Sequence, residues 1–363
     1  MTSVYTARHF FDGDVMRSNV RIAVTNGQVV GIDSHIGTAN HYLVAPGLID
    51  VQMNGFGPYD VSRVSPDEFV ALDGLLLRSG TTSWLATIVT APLQRMTESL
   101  SSIEESMVST STGCIGAHVE GPFLGSAPGA HNPDWIIPFD NEWTSSLPSI
   151  VRLMTVAPEQ LNIVHEGIPV LVGNDIVVSL GHTRASHEMF ASAVSAGARM
   201  VTHLFNGMSG VHHRDNGVAL DALVEDRVVA GLIADLCHVS PNAINLAFTA
   251  KGANGVCLVS DSVAWESQWA QRRGVEIRDG APRLTDGTLA GSCTPLAECV
   301  RNAVTSCGVP LVDALTSATR TPATLLGFPQ MGRITVGQRA DIVVFDEELS
   351  VVEARRGLVS ICG

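Results

Sequence analysis

Eight short apolar segments recur at regular intervals between residues 48 and 259, and stretches with helical periodicity separate several of them. One such stretch, residues 65–79, has a capping serine at its start, then Pro66, then apolar residues that share one face. Eight alternating units predict an α/β fold of the (β/α)8 TIM-barrel type. A doubly wound open sheet is the alternative, but no GxGxxG pattern follows the first strand. The predicted strands begin near Leu48, Thr81, Cys114, Val151, Ile176, Arg199, Val228 and Gly255.

Both ends of the chain are predicted to be β structure. Residues 20–25 and 29–32 flank Asn26-Gly27, a pair that favours a tight hairpin turn. Further strands are predicted within residues 332–346 and 351–361. We expect residues 1–45 and 330–363 to form one small, discontinuous, β-sandwich-like domain beside a barrel of residues 46–329. Two terminal extensions packed separately on the barrel are the alternative.

The composition favours a compact, soluble α/β protein of a reducing compartment. The chain of 363 residues is 45% hydrophobic and has no apolar run long enough to span a bilayer, so no membrane partner is expected. The N-terminus lacks the features of a signal peptide, and the seven cysteines include no CxxC pair, so the expected location is cytoplasmic. A net charge of −14 argues against a nucleic-acid partner.

Two histidines follow consecutive predicted strands. His182 ends the segment SLGH, and His203 ends the next strand, which begins near Arg199. The carboxyl ends of parallel strands form the rim where ligands bind, and neighbouring strands lie about 4.8 Å apart. Either histidine alone is more often a hydrogen-bonding residue than a metal ligand. Two at equivalent positions favour a shared metal ion.

Two carboxylates are predicted at the same rim. Glu120 ends the third strand, and with His182 and His203 it completes a three-ligand set that leaves room for water. Asp261 ends the eighth strand, across the barrel mouth from these ligands. We expect it to act as the general base, with orientation of a ligand as the alternative.

Lys251 is the only lysine in the chain. It lies in AFTAKGANG, ahead of a predicted strand. Barrel hydrolases that bridge two metal ions through a carbamylated lysine need that lysine at a strand end. The sequence therefore disfavours such a site, and also a lysine Schiff base or a P-loop lysine.

Many short motifs occur in a fixed order and spacing along the chain: PGLIDVQMNG, HVEGPFLG followed by GAHNP, SLGHT, THLFNGM, HRDNG, IADLCHV, LVSDS and LAGS. Together they resemble the motifs of the N-acetylglucosamine-6-phosphate deacetylases of the amidohydrolase superfamily. The resemblance extends from about Ala45 to Gly337. It implies that Glu120, His182 and His203 hold the metal, that Asp261 shuttles the proton, and that His131 polarises the acetamide carbonyl.

The resemblance also implies a set of substrate contacts. Arg214 matches an arginine that reaches into the neighbouring subunit's site to bind phosphate, which implies a homodimer. Guanidinium is well shaped for bidentate phosphate binding. The predicted contacts with the sugar phosphate substrate are Gln52, His131, Asn206, Gly207, Arg214 and His238.

The first strand departs from the superfamily pattern. Most amidohydrolases carry His-x-His at its end for a second metal, whereas this chain has Gln52-Met53-Asn54. Amides bind such ions poorly compared with imidazole or carboxylate. We therefore expect one divalent ion per subunit, with zinc as the first expectation and Fe²⁺ or Mn²⁺ as alternatives. Gln52 and Asn54 are then free to bond water or substrate.

The expected reaction is metal-dependent hydrolysis of N-acetyl-D-glucosamine 6-phosphate to D-glucosamine 6-phosphate and acetate. A deacetylase for another N-acetylated amino sugar phosphate, such as N-acetylgalactosamine 6-phosphate, would use the same residues. A catalytically silent sugar-phosphate-binding protein is an alternative from another class. The missing lysine and His-x-His disfavour cyclic-amidase or dipeptidase activity. Residues 262–290 are expected to form either a lid over the barrel mouth or surface decoration.

Overall fold

The structure is a computed structural model that describes residues 2–362. A 3-10 turn covers Pro133–Trp135, and a π-helical turn covers Ile163–Gly167. The strands are β1 (Thr2–Phe11), β2 (Met16–Thr25), β3 (Gln28–Ser34), β4 (His41–Pro46), β5 (Leu48–Met53), β6 (Gly55–Phe56), β7 (Tyr59–Asp60), β8 (Thr81–Val89), β9 (Cys114–Glu120), β10 (Val151–Val156), β11 (Val177–Leu180), β12 (Met200–Val201), β13 (Val229–Ile233), β14 (Val256–Val259), β15 (Glu276–Arg278), β16 (Ala281–Arg283), β17 (Asp341–Phe345), β18 (Val351–Arg356) and β19 (Val359–Cys362). The helices are α1 (Pro66–Arg78), α2 (Leu93–Ser109), α3 (Asn141–Ser145), α4 (Ile168–Gly173), α5 (His187–Ala196), α6 (Val218–Val224), α7 (Pro241–Gly255), α8 (Gln268–Arg272), α9 (Leu296–Thr305), α10 (Leu311–Ser317) and α11 (Arg320–Leu325).

Eight parallel strands form the barrel, in the order β14-β13-β12-β11-β10-β9-β8-β5. Each begins within one residue of its predicted start. The last strand meets the first where Asp261 N donates to Gln52 O at 3.0 Å and where Met53 forms a parallel bridge with Ser262. The predicted TIM barrel is confirmed, and the open doubly wound sheet is wrong.

The helix α1 shows how local sequence directs this packing. Ser65 and Glu68 form a reciprocal capping box, with Ser65 N donating to Glu68 Oε2 at 2.8 Å, and Pro66 begins the helix. Such a cap stabilises a helix by about 1 kcal/mol. The buried face includes Phe69 and Leu72, and the Phe69 ring packs 5.0 Å from that of Trp84 on β8. The apolar period therefore places α1 against the outside of the barrel.

Both chain ends belong to one seven-stranded sheet, in the order β19-β18-β17-β4-β1-β2-β3. The strand β17 pairs with β4 in antiparallel register, so the prediction that the ends join is confirmed and separate terminal extensions are wrong. The predicted hairpin forms, with positive φ at Asn26 and Gly27. Residues 332–340 are not a strand, because Gly332 and Gly337 adopt left-handed φ angles that interrupt the extended run. The domain boundaries at 45/46 and 329/330 stay predictions.

A buried ion pair ties this sheet to the barrel. Arg356 of β18 donates from Nη1 and Nη2 to the two carboxylate oxygens of Asp73 in α1, at 2.8 and 2.5 Å. Trp84 Nε1 and the backbone N–H of Gly113 also donate to Asp73, at 2.9 and 2.7 Å. Asp73 therefore accepts three hydrogen bonds at Oδ1 and one at Oδ2, as a buried charge requires.

Two further features bear on function. Lys251 lies in α7, where its Nζ donates to Glu225 O at 2.6 Å, away from the cluster of strand-end residues described below. The absence of a lysine-bridged metal site stays a prediction. Among the described residues, no helix is long and apolar enough to cross a membrane.

Candidate active site

Three buried side chains converge at the carboxyl ends of the barrel strands. Glu120 is the last residue of β9, and His182 and His203 each follow their strands, β11 and β12, by two residues. The Nε2 atoms of both histidines lie 3.1 Å from Glu120 Oε1 and 3.1 Å from each other. One ligand atom from each residue lies within 4.8 Å of the others. The structure thus brings the three predicted metal ligands to one point.

The backbone at these positions is unusual. His182, His203 and Asp261 have φ angles of 50°, 33° and 47°, in the left-handed region that residues other than glycine rarely adopt. Each such residue costs on the order of 1–3 kcal/mol and persists only where its surroundings impose it. Strain of this kind clusters at active sites and ligand clamps. Three strained residues at three strand ends of one barrel rim therefore mark this rim as functional.

The hydrogen bond of His182 determines which of its ring nitrogens faces the cluster. Nδ1 lies 3.0 Å from Ala127 O, and because a carbonyl can only accept, Nδ1 carries the proton. A histidine that binds a metal ion through Nε2 needs this arrangement, with a proton on Nδ1. A cation bound between His182 Nε2 and Glu120 Oε1 would satisfy both atoms in this buried site. A carboxylate oxygen and two imidazole nitrogens suit a divalent zinc, iron or manganese ion, so the residues present fit the expected metal.

The electrostatics favour an ionised Glu120 and a neutral His131. Burial disfavours the charge on Glu120, but its hydrogen bonds with His182 and His203 outweigh burial and hold the pKa of its carboxyl group well below the usual range. Glu120 is therefore ionised at neutral pH, as a metal ligand must be. His131 lies beside them, with Nε2 3.1 Å from His182 Nε2. Burial, reinforced by His182, lowers the pKa of His131 to about 3, so its ring is neutral.

Asp261 stands on the other side of Glu120, held by two amides. Gln52 Nε2 and Asn54 Nδ2 donate to Asp261 Oδ1 at 3.1 and 2.9 Å, and Gln52 Nε2 lies 3.4 Å from Glu120 Oε1. Burial, together with the negative charge of Glu120, raises the pKa of Asp261 above that of an ordinary aspartate. Asp261 can therefore hold a proton closer to neutral pH, as a proton shuttle must.

A cavity of about 450 Å³ opens above these groups. Asn206 and Gly207 line it, and a Cβ atom at Gly207 would lie only 3.0 Å from His182 Nδ1, so this position also makes room for the ligand histidine. Arg214 does not line the cavity of its own chain and lies exposed on the loop after β12. Gln52 is fully buried behind the cavity wall. The predicted residues that line the cavity are Glu120, His131, His182, His203, Asn206, Gly207, His238 and Asp261.

Asp235 and several residues that line the cavity were not predicted from the sequence. Asp235 accepts a 2.7 Å hydrogen bond from His238 Nδ1 and a 2.8 Å bond from its backbone N–H, and so orients that ring. The strand-end position of Asp235 in IADLCHV is the signal that could have identified it. Arg273 donates to Ala130 O at 3.0 Å and packs over Trp269, so the segment 262–290 forms part of the cavity wall rather than surface decoration. The arginines that line the cavity are Arg63, Arg95, Arg272 and Arg273.

Comparison with known proteins agrees with this geometry. The model of the amidohydrolase family matches residues 43–358. An N-acetylgalactosamine-6-phosphate deacetylase from Shewanella sp. (strain ANA-3) is 35% identical over 91% of this chain and 89% of its own length. The human N-acetylglucosamine-6-phosphate deacetylase is 36% identical over 85% of this chain and 81% of its own.

Solved structures show the same relationship. A mutant N-acetyl-D-glucosamine-6-phosphate deacetylase from Mycobacterium smegmatis, in complex with N-acetyl-D-glucosamine-6-phosphate, superposes with a TM-score of 0.91 over the whole of both chains at 26% identity. The corresponding enzyme from Pasteurella multocida gives 0.90, also at 26% identity and full coverage. The chain therefore belongs to the amidohydrolase family, within which it resembles the deacetylases of N-acetylated amino sugar phosphates.

Proposed function

We propose that this chain hydrolyses the acetamide of N-acetyl-D-glucosamine 6-phosphate to D-glucosamine 6-phosphate and acetate. The observation that carries the proposal is the convergence of Glu120, His182 and His203 beside Asp261 in one cavity. Relatives of 30–36% identity that cover most of the chain carry this activity in their names. The alternative of a silent binding protein is disfavoured because such a protein has no need of a strained, proton-accepting Asp261.

We assign one divalent ion per subunit to Glu120, His182 and His203, with zinc expected first and iron or manganese as alternatives. Such an ion, when bound, would lower the pKa of water toward ~7 and polarise the amide carbonyl. The amide nitrogens of Gln52 and Asn54 face the carboxylates, so the first strand presents hydrogen-bond donors where other family members hold a second metal. This supports a single ion.

Asp261 is proposed to move the proton. Both amides bond to Oδ1, which leaves Oδ2 to accept the proton of the attacking water as its oxygen adds to the acetyl carbon. The same proton then passes to the nitrogen as the C–N bond breaks, so the amine leaves neutral. The neutral ring of His131 is proposed to donate an N–H to the carbonyl oxygen as negative charge develops there.

We propose that Asn206, Gly207 and His238 contact the sugar phosphate. The carboxylate of Asp235 fixes the His238 ring, so that Nε2 is the nitrogen available to the phosphate. Arg214 is proposed to reach the phosphate in the neighbouring subunit of a homodimer, which its exposed position outside its own cavity allows. Arg273 and the exposed Arg95 are the alternatives within the same chain.

A second candidate substrate is N-acetylgalactosamine 6-phosphate. The relative from Shewanella is named for that activity. Its identity to this chain, 35%, is within one percentage point of the 36% of the human N-acetylglucosamine-6-phosphate deacetylase. The two sugars differ only at C4, and the catalytic residues would be shared.

The experiment that tests both candidates measures acetate release from each sugar phosphate by the purified protein, alongside its metal content. Release from neither sugar with a full metal site would overturn the deacetylase proposal and favour a binding protein.

We propose a cytoplasmic location, because all seven cysteines lie among the described residues and each is a free thiol, as expected in a reducing compartment.

A further inference from the structure

Asp50 is a buried carboxyl group that the proposed chemistry does not use. It lies in the middle of β5 and is 1% exposed. Its Oδ1 accepts the backbone N–H groups of Gln52 and Ser260, at 3.2 and 3.3 Å. One carboxylate oxygen thus contacts the first barrel strand and the residue that follows the last.

On the first strand, the bond to Gln52 accompanies a departure from regular β structure. The pairing of β5 with β8 shifts register between Asp50 and Met53. Val51 packs in the core inside the barrel, yet the side chain of the next residue, Gln52, also faces the barrel mouth and reaches Asp261. Neighbouring residues of a regular strand face opposite sides, so this geometry needs an irregularity. The carboxyl group of Asp50 accepts the backbone N–H of Gln52 in place of a carbonyl group of the neighbouring strand, and so stabilises the irregularity in β5.

On the last strand, the bond to Ser260 acts directly before Asp261. Ser260 N donates to Asp50, and Asp261 N donates to Gln52 O at 3.0 Å. Asp261 itself sits in the left-handed region, with φ of 47°. The backbone N–H groups of two consecutive residues therefore donate hydrogen bonds to the first strand and hold this strained turn against it.

We propose that Asp50 is a positioning residue that aligns the Gln52 amide and the Asp261 carboxylate across the seam of the barrel. The inference rests on the proposed function, in which Asp261 moves the proton. The role requires an acceptor oxygen rather than a negative charge. Burial raises the pKa of Asp50 to about 7, which agrees with a group that serves mainly as an acceptor.

The central test compares Asp50→Ala with Asp50→Asn. Alanine removes the acceptor and should lower kcat about 10- to 100-fold. This range is typical for the loss of a residue that does not touch the substrate but orients a residue that does. KM and metal content should stay within about twofold, because the proposed metal ligands and the proposed sugar contacts Asn206, Gly207 and His238 lie outside β5. Asparagine keeps an acceptor oxygen at the same distance and should restore kcat to within about threefold. Equal losses in the two variants, or a loss confined to KM, would overturn the proposal.

A double-mutant cycle separates positioning from general destabilisation. Asp50→Ala introduced into Asp261→Asn should cost less than threefold further, because the residue that it aligns no longer shuttles a proton. Asp73→Asn, a buried change far from the site, serves as the control: it should lower Tm yet leave kcat of the folded protein unchanged. Full additivity of the Asp50 and Asp261 losses would exclude the positioning role.

The outcomes also separate this inference from the proposed function. An inactive wild-type protein with a full metal site would overturn the proposed function. An active wild type with an equally active Asp50→Ala variant would overturn the positioning role alone. If the alanine variant does not fold, Asp50→Ser replaces it in the comparison with Asp50→Asn. The serine hydroxyl is too short to accept hydrogen bonds from the N–H groups of both Gln52 and Ser260.

Discussion

The two ends of strand β9 each approach a buried carboxylate, and the two are stabilised in opposite ways. At the amino end, Gly113 donates to Asp73, which also accepts from Arg356 and Trp84. At the carboxyl end, Glu120 faces the ring nitrogens of His182 and His203. The first carboxylate is matched by donors of its own chain. The second lies between two imidazole rings and is part of the proposed metal site.

This difference separates a structural charge from a functional one. Asp73 needs nothing from outside the chain, and its role is to hold the seven-stranded sheet onto the barrel. Glu120 is equally buried, but it contacts two histidine rings rather than an arginine, and we propose that these three residues bind a metal ion. In barrels of this kind, the amino ends of the strands serve stability and the carboxyl ends serve chemistry.

The largest effect is expected at the carboxyl end. His182→Ala or His203→Ala should lose the ion, and activity should fall by more than the 10- to 100-fold seen when only outer residues of a metal site change. Metal analysis together with acetate release checks this. Two equivalents bound with similar affinity in the wild type, one of them near Gln52, would break the one-ion interpretation of the first strand.

Asp261→Asn should keep the metal and lose turnover by about 10²- to 10⁴-fold, because no group remains to move the proton. The measurement is kcat at full metal occupancy. A near-normal rate in this variant would make Asp261 structural, like Asp73, and would shift the proton transfer to His131.

The amino end should respond in stability rather than rate. Arg356→Ala leaves the buried carboxylate of Asp73 without its cation, which should destabilise the fold by about 3–5 kcal/mol. Arg227→Ala provides a control at an exposed arginine, paired with Glu225, whose loss should change stability little. Denaturant unfolding measures both. A large fall in kcat of folded Arg356→Ala protein at unchanged metal content would contradict the division between the two ends.

The same contrast explains what the sequence could predict. Strand starts and the ligands Glu120, His182 and His203 were predictable, because they depend on local apolar runs and on the residue that ends each run. The Asp73–Arg356 pair joins residues 283 positions apart, and no local pattern links them. The position of Arg273 was not predictable for a related reason, because it depends on which loops meet above the barrel. Asp235, by contrast, follows the end of β13 and could have been identified from that position. Sequence patterns also overstated β structure at residues 332–340, where two glycines turn the chain.

The smallest effect is expected for Arg214, whose charge has its proposed partner in another subunit rather than in its own chain. Arg214→Ala should raise KM for the phosphorylated sugar about 10- to 100-fold, the value of a charge-assisted hydrogen bond, and change KM for unphosphorylated N-acetylglucosamine little. Arg273→Gln is the comparison within the chain, since Arg273 lines the cavity. A larger phosphate-specific effect at Arg273 would assign phosphate binding to the chain's own wall.

Mixing Arg214→Ala with Asp261→Asn subunits decides between the two subunits. If Arg214 acts across the boundary, one site of the mixed dimer has both groups intact while the other lacks both. The assay uses a substrate concentration well below the raised KM of Arg214→Ala, at which each parent homodimer is impaired. Activity should then approach half that of wild type per mixed dimer. Recovery of activity would add a third kind of charged residue to the contrast between Asp73 and Glu120, namely one whose partner lies in a second copy of the chain. No recovery, with subunit exchange demonstrated by mass spectrometry, would place Arg214 in its own subunit's site or outside it.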